Sequence, residues 1–320
     1  MIQKISDLIE RGRAFLITSH VRLDGDALGS ELALYEMLRS LGKTVLVYNQ
    51  DPVPSNYRFL PGSDRIVTEL PRLEGYDAAF ILDCSDLDRV GDEAPTIATV
   101  GRIVNIDHHV SNGGFTDITY IDPEASSTGE LIYRLMEGMG LPVSKEMATN
   151  LYTAILTDTG GFHYGNTGKN SLITAGNLIG MGADPQWISE NVYDSNPLAK
   201  IKLLTLALDT LQIELDGKVA SMVVSQKTLG EASALPEHTE GFVDFPRTIQ
   251  GVEVSILYSE LSDRFFKISL RSKGKFNVER LARFFGVGGH INAAACRIRG
   301  ELAQIKSQVL DFIRESVLTT

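Results

Sequence analysis

Short apolar runs alternate with amphipathic stretches over the first 194 residues. AFLITSH (residues 14–20) has the continuous apolar character of a buried strand, as do KTVLVYN (43–49), DAAFILDCS (77–85) and GRIVNID (101–107). ALGSELALYEMLRSLG (27–42) repeats its apolar positions at helical spacing and stops at a glycine. This alternation predicts a largely parallel sheet covered by helices. From residue 125 the pattern becomes helical, through STGELIYRLMEGMG, SKEMATNLYTAILTDTGG, NSLITAGNLIGMG and PQWISENVY. After residue 217 strand patterns return in KVASMVVS, VEVSILYSE, RFFKISLRS and AACRIRG, with helices at NVERLARFFG and the C-terminal stretch. The expected organisation is an α/β chain in two domains: 1–194 with the mostly parallel sheet, a helical linker over 195–215, and a smaller α/β domain over 216–320.

Composition narrows the class. A chain of 320 residues suits two ordinary domains. Cys84 and Cys296 are the only cysteines, far apart in sequence, which excludes a disulfide framework and a cysteine-type zinc site. No apolar run approaches the roughly 18 residues of a membrane span, and MIQKISDLIERGR does not read as a secretory signal. The expectation is a cytoplasmic protein with no membrane partner. The net charge of −11 argues against a duplex-DNA binder, because the phosphate backbone would repel it. An anionic ligand must be drawn in by a local site.

Chemistry gathers where the apolar runs end. The first leads into His20, Asp24 and Asp26 of SHVRLDGDALGS. FILDCSD places Asp83 at a strand tip, and IVNIDHHVSN runs straight into Asp107, His108 and His109. Ligands of open parallel sheets collect beyond the carboxyl ends of the strands, so three tips aim at one place. Asp158, in ILTDTGGF, lies where a helix stops at Gly160 and Gly161. Gly25 would let the chain turn tightly between Asp24 and Asp26. Packed carboxylates repel unless cations hold them. Carboxylate and imidazole without thiolate suit Mn²⁺ or Mg²⁺. So many ligands exceed the need of one ion, and two ions sharing a carboxylate is the economical reading. Neighbours on an extended chain point opposite ways, so one of His108 and His109 is expected at metal and the other toward substrate. Taken singly, Asp24 and Asp26 could be helix caps and Asp158 a turn residue. Their joint placement at element ends favours the metal reading.

HVRLDGDALGS, LDCSDLDRVG, IDHHVSN and LTDTGGF together resemble the four successive motifs of the DHH phosphoesterase family, and FFGVGGHINAAACRI resembles the glycine-histidine signature of its associated substrate domain. The resemblance spans nearly the whole chain and is greatest to the nanoRNase and nucleotide bisphosphate (pAp) phosphatase branch. It implies His20, Asp24 and Asp83 around one ion and Asp26, Asp83, His108 and Asp158 around the other, with Asp83 bridging and manganese as the metal. It further implies that His109 contacts a phosphate oxygen and that Asp107 orients the histidines. Leu23 stands where the family commonly has Pro, and Val287 and Ala295 where it commonly has glycine.

From Arg264 to Arg299, both included, there are nine Lys or Arg and one acidic residue, Glu279. Arginine binds phosphate or stacks on bases, and glycine lets a backbone approach a ligand closely. By resemblance, Arg271 with Gly288, Gly289 and His290 holds the nucleotide end of the substrate. Phe265, Phe266, Phe276, Phe284 and Phe285 could stack, although most are expected in the core. The leading expectation is a hydrolase of very short single-stranded RNA and of adenosine 3′,5′-bisphosphate, compatible with a homodimer. The alternatives are a phosphodiesterase of cyclic di-AMP or its linear product pApA, and a nucleotide-binding regulatory protein with a structural metal site.

Overall fold

The computed structural model describes residues 1–317 except 274–275 and 287–288, with the backbone alone described at 289–290 and 316–317. The chain divides into two compact units, Met1–Ser195 and Asn196–Thr320. In the first, six parallel strands are ordered β3-β2-β1-β4-β5-β6. They are β1 (Ala14–Thr18), β2 (Thr44–Tyr48), β3 (Ile66–Val67), β4 (Ala78–Leu82), β5 (Ile103–Asp107) and β6 (Ile118–Ile121). β1 sends Phe15 and Ile17 into one apolar layer and Leu16 into another. A strand buried on both faces reads as a continuous apolar run, which is why β1 and β4 are legible in the sequence. β3 has two residues and β6 is only half-buried, and neither shows a strand pattern.

One face is covered by α1 (Ile2–Arg11), α2 (Gly25–Ser40), α4 (Thr128–Gly138) and α5 (Lys145–Asp158), and the other by short α3 (Ala94–Ile97). α6 (Lys169–Gly180) and α7 (Pro185–Tyr193) add Leu178 and Ile188 to the larger core. Gly25 is needed for close packing rather than for a turn. It opens α2, and a Cβ there would lie 2.4 Å from Thr157 Oγ1 of α5. Leu23 is 6% exposed and packs with Leu28, Leu32 and Leu60, so it ties the loop before α2 into the core. Strand order reverses between β1 and β4, and the crevice beyond such a switch point is where open α/β sheets bind ligands.

The second unit begins with α8 (Leu198–Leu208), whose Leu203 and Ala207 pack with Met222 and Leu257. Among the described residues its sheet runs β11-β12-β10-β9-β8-β7, antiparallel except for the β8–β9 pair. The strands are β7 (Gln212–Glu214), β8 (Val219–Val224), β9 (Val254–Ser262), β10 (Phe265–Ser272), β11 (Gly289–His290) and β12 (Ala293–Arg299). α9 (Gln226–Ala232) packs with α8, while α11 (Val278–Phe284) and α12 (Leu302–Val317) join the core with Ile256, Tyr258 and Ile268. Short α10 (Asp244–Arg247) lies beside β9 and β10.

Candidate metal centre

Asp83 stands at the middle of the site. β4 ends at Leu82, and Asp83 takes φ +56°, a left-handed conformation that Asp adopts more readily than most residues, at a cost of roughly 1–2 kcal/mol. Its N–H still bonds to Ile106 O at 3.0 Å, so the bend is anchored. Its Oδ2 lies 3.3 Å from His20 Nε2. Its Oδ1 lies 3.4 Å from His109 Nδ1 and 3.6 Å from His108 Nε2, and accepts from Thr128 Oγ1 at 3.0 Å.

Three overlapping sets of ligand atoms result: His20, Asp24 and Asp83; Asp26, His108 and Asp158; Asp83, His108 and His109. Within each set one atom per residue lies within 4.8 Å of the others. Asp24 does two things at once. Its Oδ1 caps α2 by accepting from the N–H groups of Asp26 and Ala27, and its Oδ2 lies 3.6 Å from His20 Nε2. Asp26 is clasped by the N-terminus of α4, accepting from Thr128 N at 2.7 Å and Gly129 N at 2.9 Å, which the positive end of a helix favours. Asp158 ends α5 and is held by Asn166 Nδ2 at 3.2 Å.

The strand pleat stops at Asp107, so alternation does not separate the two histidines. Their rings meet edge to face at 5.0 Å, and both approach Asp83 Oδ1. His108 Nε2 faces Asp26, Asp83 and Asp158 at 3.5–3.7 Å. His109 Nδ1 faces Asp107 Oδ1 at 2.6 Å. Asp107 is fully buried and belongs to none of the three ligand sets. Its Oδ1 also accepts from His108 N and His109 N, and its Oδ2 from Asn112 Nδ2, which bonds in turn to Asn105. The sequence reading missed Thr128, Gly129, Asn105, Asn112 and Asn166. The SSTGE stretch, a helix N-terminus with a capping serine, was the available signal for the first two.

The electrostatics are those of a crowded anionic site. Burial pushes Asp26 well above the usual carboxylate range, with Asp83 and Asp158 adding to the rise. Asp158 is pushed up to about 7 by desolvation and by Asp83 and Asp24, against the pull of His108. Burial would also raise Asp83, but His109, His20 and His108 hold it well below its ordinary value. Burial works to lower both His20 and His108. Asp24 and Asp83 overcome it at His20, and Asp158, Asp83 and Asp26 bring His108 up to about 9. At His109 burial again works to lower the ring, and the hydrogen bond to Asp107 together with the charges of Asp83 and Asp107 raises it. Oxygen and imidazole donors of this kind fit divalent metal ions of hard to borderline character.

In the second unit, Arg271 lies near the end of β10, with Nε 3.9 Å from Asp244 Oδ1, and Arg247 Nη2 reaches the same oxygen at 2.9 Å. The strand register sets Arg271 and His290 opposite the same residue, Ala293. Gly288 lies outside the described residues, and Gly289 and His290 are described as backbone strand only. Phe266 is core, Phe276 and Phe285 pack against it, Phe284 is exposed, and Phe265 lies under Arg299.

A parallel sheet whose strand tips gather overlapping Asp and His sets is an arrangement able to hold divalent ions, and the chain belongs to the DHH family. The family's N-terminal domain matches residues 14–155 and the DHHA1 domain residues 216–317. The chain is accordingly a hydrolase of phosphoester bonds. It is similar to the bifunctional oligoribonuclease and PAP phosphatase NrnA of Thermus thermophilus, with 30% identity over 94% of this chain and 89% of that protein. The crystal structure of an exopolyphosphatase-related protein from Bacteroides fragilis has the same fold, with a TM-score of 0.92 and 33% identity over 98% of this chain and 95% of that one. The cyclic-di-AMP phosphodiesterase PdeA of Listeria monocytogenes is 25% identical over 97% of this chain but only 49% of its own length. Among the described residues no helix is long and apolar enough to cross a membrane.

Proposed function

We propose that the chain hydrolyses very short oligoribonucleotides to mononucleotides and removes the 3′-phosphate of adenosine 3′,5′-bisphosphate, using two divalent ions, manganese foremost. The observation that carries this reading is the place of Asp83, in one set with His20 and Asp24 and 3.6 Å from Nε2 of His108, which itself belongs to the set with Asp26 and Asp158. The NrnA-type relative, similar over most of both chains, supports the substrate class. His20, Asp24 and Asp83 would hold one ion, and Asp26, Asp83, His108 and Asp158 the other. Bound there, such ions neutralise phosphate charge and acidify water. Thr128 and the α4 N-terminus fix the orientation of Asp83 and Asp26. Asp107 keeps the His109 ring in place and favours its protonated form, which complements a phosphate oxygen. Net hydrolysis forms one bond from water oxygen to phosphorus and breaks one ester P–O bond, and the leaving oxygen takes up a proton. Selection of the nucleotide is assigned to the second unit, through Arg271 and the 288–290 stretch.

The PdeA relative supports a second reading, hydrolysis of cyclic di-AMP. One product-resolved assay separates the two. Diadenylate, adenosine 3′,5′-bisphosphate and cyclic di-AMP are offered side by side with Mn²⁺. The proposed function expects AMP from the first two and the cyclic compound intact. Turnover of the cyclic dinucleotide in preference to the others would reverse the assignment.

A further inference from the structure

Glu31 is a fully buried carboxyl for which the chemistry above has no use. It lies on α2, beyond the helix end that carries Asp24 and Asp26. Its Oε2 accepts a hydrogen bond from Asn49 Nδ2 at 2.8 Å, and its Oε1 is buried with no hydrogen-bond partner. Burial pushes the group up to about 8, against the pull of Asn49 and of the Ser19 side chain. An apolar side chain would fill this place without that desolvation.

Asn49 is equally buried and follows the last residue of β2. Its N–H bonds to Val67 O of β3, which fixes its backbone. Its Oδ1 accepts from Ser19 N at 3.2 Å and lies 3.4 Å from Ser19 Oγ. β1 has ended at Thr18, so the Asn49 side chain does at Ser19 what a ladder partner does within the sheet. The next residue is His20, whose Nε2 lies 3.3 Å from Asp83 and 3.6 Å from Asp24. A continuous chain of contacts therefore runs from α2 through the tip of β2 to the tip of β1.

We propose that Glu31 is a positioning residue of the metal centre: by holding Asn49, and through it the Ser19 backbone, it fixes the end of β1 and so the His20 imidazole. The inference rests on the reading of His20 as a metal ligand. Groups that hydrogen-bond directly to a metal ligand typically alter metal affinity by about 10- to 100-fold when removed, and Glu31, acting through Asn49 and Ser19, is expected at the lower end of that range.

The test is Mn²⁺ binding to the whole chain, measured by titration calorimetry without substrate, together with the melting temperature of the metal-free protein. Glu31→Gln keeps the acceptor facing Asn49, and its metal affinity is expected to stay within about threefold of the parent. Glu31→Met removes the acceptor and is expected to weaken one metal site by about 10-fold. Asn49→Leu interrupts the same chain at its other member and should give a similar loss, so it decides the matter if Glu31→Met does not fold. The double variant should be no worse than the poorer single, because both changes cut one chain of contacts. A lower melting temperature with unchanged Mn²⁺ affinity in Glu31→Met or Asn49→Leu would show a purely structural role and overturn the inference. Losses that multiply in the double variant would overturn it too. His20→Ala is the control: if it leaves Mn²⁺ binding intact, the reading of the metal site fails first.

Discussion

His109 Nδ1 and Asp107 Oδ1 lie 2.6 Å apart, and both side chains are buried. The carboxylate therefore sets both the position and the charge of a ring at the edge of the metal centre, while His108, the residue between the two in the chain, faces Asp26 and Asp158.

The two histidines should separate in metal content. His108→Ala is expected to lower the bound metal at one site. His109→Ala and Asp107→Asn are expected to leave the metals largely in place and to reduce kcat. A lost charge-assisted contact of roughly 1.5–3 kcal/mol corresponds to about 10- to 100-fold. Elemental analysis alongside turnover measures both quantities. Equal metal losses in His108→Ala and His109→Ala would contradict this division.

Apparent Mn²⁺ affinity should rise with pH. In the metal-free protein Asp158 gives up its proton at about 7 and His108 at about 9, so metal must displace protons below those values. Stability of the metal-free protein runs the other way. Asp158 and His108 have folded values raised above their ordinary 3.8 and 6.5. Their contribution is fully present below those ordinary values and is lost as pH climbs through about 7 and about 9. Asp83 is depressed, so its contribution is present above 3.8 and is lost on acidification. Melting curves with and without Mn²⁺ from pH 5 to pH 9 should diverge toward high pH. Parallel curves would mean that these groups are not the metal's ligands.

Much of this arrangement was legible in the sequence. β1 and β4 are apolar on both faces and β5 on one, so their ends show plainly, and the charged residues placed there had to be at the mouth of the sheet. Asp158 was legible because glycines stop its helix. What escaped was chemistry carried by backbone or by ordinary polar residues. The Thr128 and Gly129 N–H groups have no sequence signature beyond a helix start, and Asn49, Asn105 and Asn112 read as ordinary polar residues after β2, within β5 and in the loop beyond it. The expectation that His108 and His109 diverge rested on a pleat that ends one residue too early. Gly25 was correctly singled out, but the reason lies in Thr157, over a hundred positions away.

Arg271 should govern choice of substrate rather than chemistry. Arg271→Ala is expected to lower kcat/KM for diadenylate and adenosine 3′,5′-bisphosphate by about 10- to 100-fold, the size of a lost charge-assisted contact. A small chromogenic phosphodiester should be hydrolysed nearly as before. Kinetics on the two substrate types check this, and equal losses on both would remove Arg271 from nucleotide selection.

The central claim is that Asp83 belongs to two metal sites at once. Asp83→Asn tests it cleanly, because Asn tolerates the left-handed backbone that Asp83 occupies and keeps its shape. The decisive measurement is the number of Mn²⁺ ions bound per chain, in the parent and in Asp83→Asn, by equilibrium titration with elemental analysis. Two ions in the parent and weakened binding at both sites in the variant are expected. A parent that saturates with one ion, or a variant that loses one site and keeps the other at full affinity, would contradict the account.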